Sequence, residues 1–193
     1  MNSSKHKALC GADVVARDGI DLKGKCGLIT NHTGVLRDLS SVIDMIIDKC
    51  YLTALFGPEH GVRGDIQAGE NISSYTDTIT GLPVYSLFDD DISESKKMLE
   101  SLDNVIFDIQ DVGARFYTYL YSMANAMIAC AKNNKPIVVL DRINPIGGDI
   151  VQGTLLDENF HSFVGEYAVP TRYGLTIGEF AHFVKDHLKL DID

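Results

Sequence analysis

The amino-acid sequence predicts an α/β fold: a mostly parallel sheet with helices on both faces. Three observations point to this class. Short apolar segments rich in β-branched residues recur along the chain, helical patterns separate them, and turn-forming residues bound them. Strands that alternate with helices favour parallel pairing, because the chain must cross back over the sheet before each new strand.

Five segments are predicted as strands. Each is apolar over most of its length, which is typical of strands that are buried on both faces. The segments are 26–31 (CGLITN), 51–56 (YLTALF), 82–87 (LPVYSL), 104–109 (NVIFDI) and 136–141 (PIVVLD).

Four stretches carry the apolar spacing of an amphipathic helix. In the longest, a stripe from Phe116 to Cys130 is expected to pack in the core rather than to bind a cofactor. In the last, Thr176 precedes Glu179 by three residues, which is the spacing of a capping box. The stretches are 39–47, 92–102, 116–130 and 176–190.

Charge and composition exclude several functions. The 193 residues include 17 Lys and Arg against 27 Asp and Glu, a net charge of −10 that argues against nucleic acid or an anionic membrane as partner. No apolar run reaches the ~18 residues of a membrane span. The first ten residues have no signal-peptide core, so a cytoplasmic location is expected for the chain as given, and an exported or periplasmic one if a leader was removed.

Common cofactor and metal motifs are missing from the sequence. It contains no G-x-G-x-x-G after a strand, no G-x-x-x-x-G-K-[ST] and no G-x-S-x-G. His60, Asp65 and Glu70 match no strong metal-ligand pattern, so neither a metal nor a cofactor is expected. The cysteines have no C-x-x-C spacing and are expected to be buried free thiols: Cys10, Cys26, Cys50 and Cys130.

Polar side chains follow four of the predicted strands. The carboxyl ends of parallel strands share one edge of a sheet, where α/β folds bind their ligands. These loops contain arginines but no lysine, and the longest, 57–70, is rich in glycine. The candidate site residues are Asn31, Glu59, His60, Arg63, Asp108, Gln110, Asp111, Arg115, Asp141, Asn144 and Arg172, with His32 and Arg142 beside them.

Glu59 is the strongest single candidate. Pro58 restricts the backbone before it, and Gly57 and Gly61 bracket the Glu59–His60 pair, so a rigid turn is expected at the strand end. A partly buried glutamate has a raised pKa and suits general acid catalysis near neutral pH. The alternative is that Glu59 caps the loop or forms a salt bridge; His60 fits a structural role as well as a catalytic or sugar-binding one.

The other charged candidates have two interpretations. Asp108 and Asp111 either take part in catalysis or hold loops to the sheet. The arginines either pair with Asp108, Asp111 and Asp141 or bind an anionic substrate, because the planar guanidinium suits carboxylates.

Long motifs in these loops occur in a distinctive order: GPEHGVRGDIQAGE, TGLPVYSL, FDIQDVGARFYTYLYSM, VLDRINPIGG and VQGTLLDENFHSFVGEYAVPTRYGLTIGE. From Leu22 to Glu179 the chain resembles the exo-β-N-acetylmuramidases of the NamZ type (glycoside hydrolase family 171, formerly a domain of unknown function). These bacterial enzymes release terminal N-acetylmuramic acid from peptidoglycan fragments, a step of cell wall recycling. One departure is Ile143, where the family usually has a second proline.

The resemblance implies that residues 1–193 form a Rossmann-like N-terminal domain, and that the family's C-terminal domain is absent from this chain. It implies an active site in a cleft between the two domains, with Glu59 in the catalytic role. We expect catalytic residues at Glu59, His60, Asp108 and Asp111, and substrate-binding residues at Asn31, Arg63, Gln110, Arg115, Asp141, Asn144 and Arg172.

Two functions are compatible with this pattern. The first is hydrolysis of a β-glycosidic bond to a terminal N-acetylmuramoyl residue, with Glu59 protonating the leaving oxygen and either Asp108, Asp111 or the substrate's own acetamide as the second group. The alternative is a non-catalytic or degenerate module that binds muropeptides or other saccharides.

Two further expectations follow from the resemblance. N-acetylmuramic acid carries a lactyl carboxylate, which a chain of charge −10 repels unless an arginine compensates, and Arg63 is favoured because Glu59 precedes it by four residues. A missing second domain also predicts an exposed aromatic surface and self-association through it. That surface is expected near Phe160, Phe163, Tyr167 and Tyr173.

Overall fold

The computed structural model describes residues 8–58, 61–64, 74–86, 92–162 and 164–193. In these ranges the helices are α1 (Gly11–Asp18), α2 (Val42–Ile47), α3 (Ile92–Ser101), α4 (Tyr119–Lys132) and α5 (Ile177–Leu188). The strands are β1 (Lys25–Thr30), β2 (Tyr51–Gly57), β3 (Tyr75–Thr76), β4 (Pro83–Ser86), β5 (Asn104–Asp108), β6 (Ile137–Val139), β7 (Gln152–Leu155) and β8 (Pro170–Arg172). A short 3₁₀ helix spans Glu158–Phe160.

The described strands form a six-stranded sheet in the order β3-β4-β2-β1-β5-β6, and β7 pairs with β8 separately. The pairings from β4 to β6 are parallel, and β3 joins the edge antiparallel, so the predicted mostly parallel sheet is confirmed. The chain builds outward from β1 to β4 and then returns to the other side of β1. The carboxyl ends of β1 and β5 therefore meet where the strand order reverses, the switch point at which such sheets bind ligands.

Helices cover both faces of the sheet, as predicted. On one face, α1 and α2 pack over Leu28 of β1 and Ile106 of β5. On the other, α4 and α5 pack over Ile29 of β1 and Phe107 of β5. Because successive side chains of a strand point to opposite faces, each central strand contributes to both cores. This double burial explains why the strand segments are apolar throughout.

The five predicted strands are present as β1, β2, β4, β5 and β6. β6 is shorter than predicted and only half-buried, because it lies at the edge of the sheet. Five further elements of the described chain were not predicted: α1, β3, β7, β8 and the 3₁₀ helix. β3 has two residues, and all four residues of β7 are exposed, so neither strand carries an alternating pattern.

Two helices begin later than their apolar patterns predict. Leu39 precedes α2, with a left-handed φ of 68° and a side chain that is 78% exposed. α2 begins after Ser41, whose side chain caps its amino end. Phe116 precedes α4 and is 56% exposed, because residues 114–117 form a turn that is tied to β8. The rest of the predicted α4 stripe is buried in the core.

Arg115 attaches the β7–β8 unit to the main sheet. Its backbone N–H donates to the Thr171 carbonyl (2.9 Å). Its Nη1 donates to the carbonyls of Thr154 (2.8 Å) and Val169 (2.6 Å). The Arg115 side chain and backbone together hold both strands of the unit against the loop that follows β5.

The prediction of an exposed aromatic surface is wrong for two of its residues. Phe160 is 70% exposed, as expected, but Tyr167 and Tyr173 are each only 4% exposed. Tyr167 packs edge-on against Phe180 of α5, with ring centroids 5.8 Å apart. Phe163 lies outside the described residues. The two tyrosines belong to the core because α5 folds back over them.

All four cysteines are free thiols. Cys26 and Cys130 are buried as predicted, whereas Cys10 and Cys50 are partly exposed. Burial raises the pKa of the Cys130 thiol to about 12, which keeps it unreactive at neutral pH. In the part of the chain that the structure describes, no helix is long and apolar enough to cross a membrane.

The capping box of α5 leads to a stability prediction. Thr176 Oγ1 accepts a hydrogen bond from the Glu179 N–H (3.2 Å) and donates one to Asp141 Oδ2 (2.9 Å). Thr176→Ala removes both contacts and is expected to lower the free energy of unfolding by about 1–2 kcal/mol. Thr176→Ser keeps the hydroxyl and should retain most of the stability in urea denaturation. Equal loss in the two variants would contradict this role of the hydroxyl.

Candidate active site

Six of the predicted site residues lie at the carboxyl ends of three neighbouring strands, β1, β5 and β6. The last residues of β1 and β5, Thr30 and Asp108, are partners in the register. The Thr30 hydroxyl donates to the Asp108 carbonyl (2.9 Å). The structure therefore brings the loops of this edge together at the switch point: Asn31, Asp108, Gln110, Asp111, Asp141 and Asn144.

A buried ion pair lies at this point. Arg142 donates through Nε and Nη2 to the two carboxylate oxygens of Asp108 (2.9 and 2.8 Å). Nη2 also donates to the Val35 carbonyl in the loop after β1 (3.0 Å). Asp108 has no exposed surface and Arg142 has 7%. Because both oxygens of Asp108 are used, the geometry favours the loop-holding interpretation of this residue.

Burial and pairing act against each other in this ion pair. Burial raises the pKa of the Asp108 carboxyl, and the hydrogen bonds from Arg142 oppose that rise. For Arg142, burial lowers the pKa, but the contacts with Asp108 outweigh it and the net shift is upward. The guanidinium therefore stays charged and keeps the carboxylate in place.

Asn31 organises the loop after β1. Its Oδ1 accepts hydrogen bonds from the N–H (2.9 Å) and the hydroxyl (2.6 Å) of Thr33. The Thr33 hydroxyl oxygen in turn accepts from the Gln110 N–H (2.9 Å). Gln110 Nε2 donates to the carbonyls of Asp111 (2.7 Å) and Ile143 (3.0 Å). The loops after β1, β5 and β6 thus form one hydrogen-bonded network.

Asp111 is buried, with 4% of its surface exposed. Its Oδ2 accepts hydrogen bonds from the Tyr173 hydroxyl and from the Gly113 N–H (2.7 Å). Its Oδ1 has no partner among the described residues. Burial raises the pKa of the Asp111 carboxyl, and the Tyr173 contact opposes the shift. Asp111 connects the loop after β5 to the segment after β8.

Asp141 and Asn144 hold the amino end of α5. The Asp141 carboxylate accepts from the Thr176 hydroxyl (2.9 Å) and from the Gly178 N–H (2.7 Å). Asn144 Nδ2 donates to the Leu175 carbonyl (2.9 Å). These two predicted substrate-binding side chains therefore use hydrogen bonds to position the helix.

Arg63 pairs with Asp77, an acid that the sequence analysis did not consider. Its Nε and Nη2 donate to the two carboxylate oxygens of Asp77 (3.1 and 2.9 Å). Asp77 also accepts from the N–H (3.0 Å) and the hydroxyl (2.6 Å) of Thr80. Hydrogen bonding to Arg63 is the main reason that the pKa of Asp77 falls to about 2. The positive charge of Arg63 is already balanced inside the protein.

Glu59 and His60 lie outside the described residues, as do Asp65 and Glu70. The described parts of their loop lie beside the loop that follows β1. Gly64 has a left-handed φ of 74°, and a Cβ placed on it would come within 2.9 Å of the His32 side chain. This contact brings the loops after β1 and β2 together.

Arg172 ends β8 and forms an isolated β-bridge with Ala114 in the loop after β5. Its Nη1 donates to Gln152 Oε1 over 3.3 Å, and its Nε is buried without a partner among the described residues. Arg115, on the same side of the sheet, donates to backbone carbonyls as described above. Within the ranges that the structure describes, neither arginine has a carboxylate at salt-bridge distance.

Cavities lie beside the sheet in the described part of the chain, and one of them reaches a residue of the candidate site. A cavity of about 480 Å³ lies between α3, α4 and the sheet, lined in part by Lys96 and Ala126. Another of about 410 Å³ lies beside α5 and β6 and reaches Asp141 and His182. Neither is lined by Asn31. No group of three His, Cys, Asp or Glu in the described ranges is placed to hold a metal ion.

Three residues that build this edge were not predicted: Thr33, Asp77 and Tyr173. Thr33 follows Asn31 by two residues, a spacing typical of an Asx turn, so the sequence did contain a signal for it. Asp77 lies 14 residues after Arg63, and Tyr173 lies 62 residues after Asp111. No local pattern predicts pairs at such separations.

The family is evident once the parallel sheet and its strand-end loops are compared with known proteins. The family model described as "Exo-beta-N-acetylmuramidase NamZ, N-terminal" matches residues 26–193. The chain belongs to this family. The match runs from β1 through α5 and includes every loop of the candidate site, so the resemblance drawn from the sequence motifs is confirmed.

Individual relatives agree with this assignment. The chain is 48% identical over 197 residues to the peptidoglycan β-N-acetylmuramidase NamZ of Bacillus subtilis (strain 168), covering 100% of this chain and 48% of that protein. Crystal structures of two DUF1343 family proteins from Bacteroides fragilis NCTC 9343 match with TM-scores of 0.82 and 0.78, at 40% and 33% identity. Each of these two matches covers 95% of this chain, and they cover 47% and 48% of the respective crystallised chains. The chain spans about half the length of these relatives.

The Arg63–Asp77 pair leads to a prediction about acid stability. A carboxyl with a folded pKa of about 2 against an ordinary value of 3.8 contributes stability above pH 4. That contribution is lost as the pH falls from about 4 to about 2. The difference in unfolding free energy between wild type and Asp77→Asn should be on the order of 1–2 kcal/mol at pH 6 and should shrink through this window.

Urea denaturation at several pH values measures this difference. Asp18→Asn is the control, because Asp18 forms a similar pair with Arg17 but is exposed. A wild-type advantage over Asp77→Asn that stays constant down to pH 2 would show that it does not come from the ionised Asp77 carboxylate.

Proposed function

We propose that the protein acts in hydrolysis of the β-glycosidic bond to a terminal N-acetylmuramoyl residue of peptidoglycan fragments. The observation that carries this proposal is the family match over residues 26–193, together with 48% identity to a β-N-acetylmuramidase. The clustering of the strand-end loops at the switch point supports it, because this edge is where α/β sheets bind ligands. A peptidoglycan-derived saccharide is the proposed substrate.

Glu59 is the proposed general acid. Glycoside hydrolysis passes through an oxocarbenium-like transition state and needs a proton on the leaving oxygen. Glu59 follows β2, whose neighbour in the sheet is β1, so its loop starts next to the network of Asn31 and Gln110. His60 stays a candidate for sugar binding beside it.

For the second group, the geometry favours the acetamide of the substrate over Asp108 and Asp111. A nucleophile or general base must reach the anomeric carbon or a water beside it. Asp108 has no exposed surface and Asp111 has 4%, and their hydrogen bonds hold Arg142 and Tyr173. We therefore propose that these two carboxylates position the loops. The acetamide oxygen attacks the anomeric carbon as the glycosidic bond breaks, and Glu59 protonates the leaving oxygen. Water then attacks the anomeric carbon of the resulting oxazolinium ion, gives its proton to the Glu59 carboxylate and releases N-acetylmuramic acid.

A general acid matters most when the leaving group is poor, which gives the test of Glu59. In a chimera in which this chain replaces the N-terminal half of the Bacillus subtilis relative, Glu59→Gln should lower turnover of N-acetylmuramoyl-N-acetylglucosamine by about 10²- to 10⁴-fold. A p-nitrophenyl N-acetylmuramide has a good leaving group and should lose far less. Turnover is measured as release of N-acetylmuramic acid.

Glu100→Gln is the matched control, because Glu100 is an exposed glutamate on α3. It should leave both rates unchanged. Equal losses on the two substrates would remove Glu59 from the role of general acid, and unimpaired turnover of the disaccharide would remove it from the mechanism.

A second function, saccharide binding without hydrolysis, is favoured by one observation. The carboxylates of Asp108 and Asp111, which the structure describes at the switch point, form hydrogen bonds within the fold. Calorimetry of this chain with N-acetylmuramoyl-N-acetylglucosamine, combined with product analysis, separates the two functions. Binding without product supports the binding module, whereas release of N-acetylmuramic acid rejects it.

We also propose that the protein self-associates through exposed apolar side chains of segment 143–164. Large exposed apolar surfaces promote association. Light scattering should show that the apparent molar mass increases with protein concentration. The double variant Leu155→Lys, Phe160→Lys should reduce this increase. Tyr51→Lys, at an exposed site on β2, is the control. A monomer at every concentration would contradict the proposal. The exposed residues of the segment include Ile143, Ile146, Ile150, Val151, Leu155, Phe160 and Val164.

A further inference from the structure

Arg172 differs from the two paired arginines described above, Arg63 and Arg142, in the contacts that its guanidinium makes. Arg63 and Arg142 each hold a carboxylate through Nε and Nη2. Arg172 has no carboxylate at salt-bridge distance in the described ranges, and its Nε is buried without a partner there. Its contact with Gln152 Oε1 is long, at 3.3 Å. The N–H groups of this guanidinium therefore have few hydrogen-bond acceptors. A carboxylate or another planar anion supplies two acceptors at the spacing of the guanidinium N–H groups.

Arg172 lies at the edge that the candidate site occupies. It bridges to Ala114 in the loop after β5. Its chain neighbour Tyr173 donates a hydrogen bond to Asp111 in the same loop. On its other side lies Gly147, in the loop after β6. The guanidinium therefore stands between the loops of two adjacent strands whose carboxyl ends face the same way.

Gly147 leaves room for the outer end of this guanidinium. A Cβ placed on Gly147 would come within 2.9 Å of Arg172 Nη2, and the φ of 97° at this position also disfavours any side chain. The same Cβ would lie 3.2 Å from Asp149 Oδ1, so Asp149 is an acid close to the approach. Arg172 Nε is buried without a hydrogen-bond partner among the described residues, whereas Nη2 is not one of the atoms in that class. The Nη1–Nη2 end is therefore the side of the guanidinium that is left for a ligand.

We propose that Arg172 binds the lactyl carboxylate of an N-acetylmuramoyl residue through Nη1 and Nη2. The inference rests on the proposed function, which supplies a substrate with this carboxylate. The charge of Arg63 is balanced by Asp77, so the Arg63 hypothesis of the sequence analysis gives way to Arg172. Arg115 directs its Nη1 at two backbone carbonyls and holds the β7–β8 unit instead.

The test is an NMR titration of this chain with N-acetylmuramic acid and with N-acetylglucosamine, which lacks the lactyl group. Arg172→Gln should weaken binding of N-acetylmuramic acid by about tenfold and leave binding of N-acetylglucosamine unchanged. Arg172→Lys keeps the positive charge but loses the planar guanidinium, so its affinity for N-acetylmuramic acid should lie between those of wild type and Arg172→Gln. Asp149→Asn removes a competing carboxylate and should tighten N-acetylmuramic acid binding by about twofold. Arg17→Gln, on the exposed face of α1, is the control.

Each outcome bears on the inference. Arg172 makes one long hydrogen bond, so its variants should melt at the wild-type temperature, and the ratio of the two affinities reports recognition rather than folding. Arg172 does not recognise the lactyl group if Arg172→Gln weakens binding of both sugars equally. The same holds if Arg63→Gln is the variant that removes the preference for N-acetylmuramic acid over N-acetylglucosamine. In either case the proposed function stands. If wild type binds neither sugar, saccharide recognition by this chain is wrong and the inference is overturned with it.

Discussion

The candidate site depends on the buried ion pair between Asp108 and Arg142. This pair joins the end of β5 to the loop after β6, and through the Val35 carbonyl it holds the loop after β1. Removing either partner would leave a buried charge uncompensated, at a cost of about 3–5 kcal/mol. The fit is close: a Cβ on Gly34 would come within 2.2 Å of Thr30 Oγ1. Three loops are thereby fixed at the one point where the strand order reverses.

This arrangement assigns different tasks to charged residues that look alike in the sequence. Asp108 and Asp111 are buried and hold the loops, which is why our proposal assigns the chemistry to Glu59 and the substrate's acetamide. Among the arginines, Arg142 and Arg63 each form a salt bridge within the fold, whereas Arg172 forms none in the described ranges. In a chain of net charge −10, a guanidinium without such a salt bridge is a local exception that favours an anionic group.

The sequence predicted the sheet well because burial on both faces leaves a continuous apolar record in each central strand. It predicted helix starts less well. Leu39 and Phe116 continue an apolar spacing, but the Ser41 cap and a turn tied to β8 begin the helices later. Tyr167 was expected on the surface and lies in the core, because burial of an aromatic ring depends on the helix that folds over it.

The sequence by itself determined the fold class, the edge of the sheet that carries the polar loops, and the family, because these depend on local periodicity and on motifs that are contiguous in the chain. Tertiary structure alone decided which charges are already paired. Arg63 meets Asp77, Arg142 meets Asp108, and Arg172 meets no carboxylate in the described ranges. The partners of these pairs are far apart in the chain and meet only because strands and loops come together in space. The spacing of residues in the sequence does not reveal which distant residues meet.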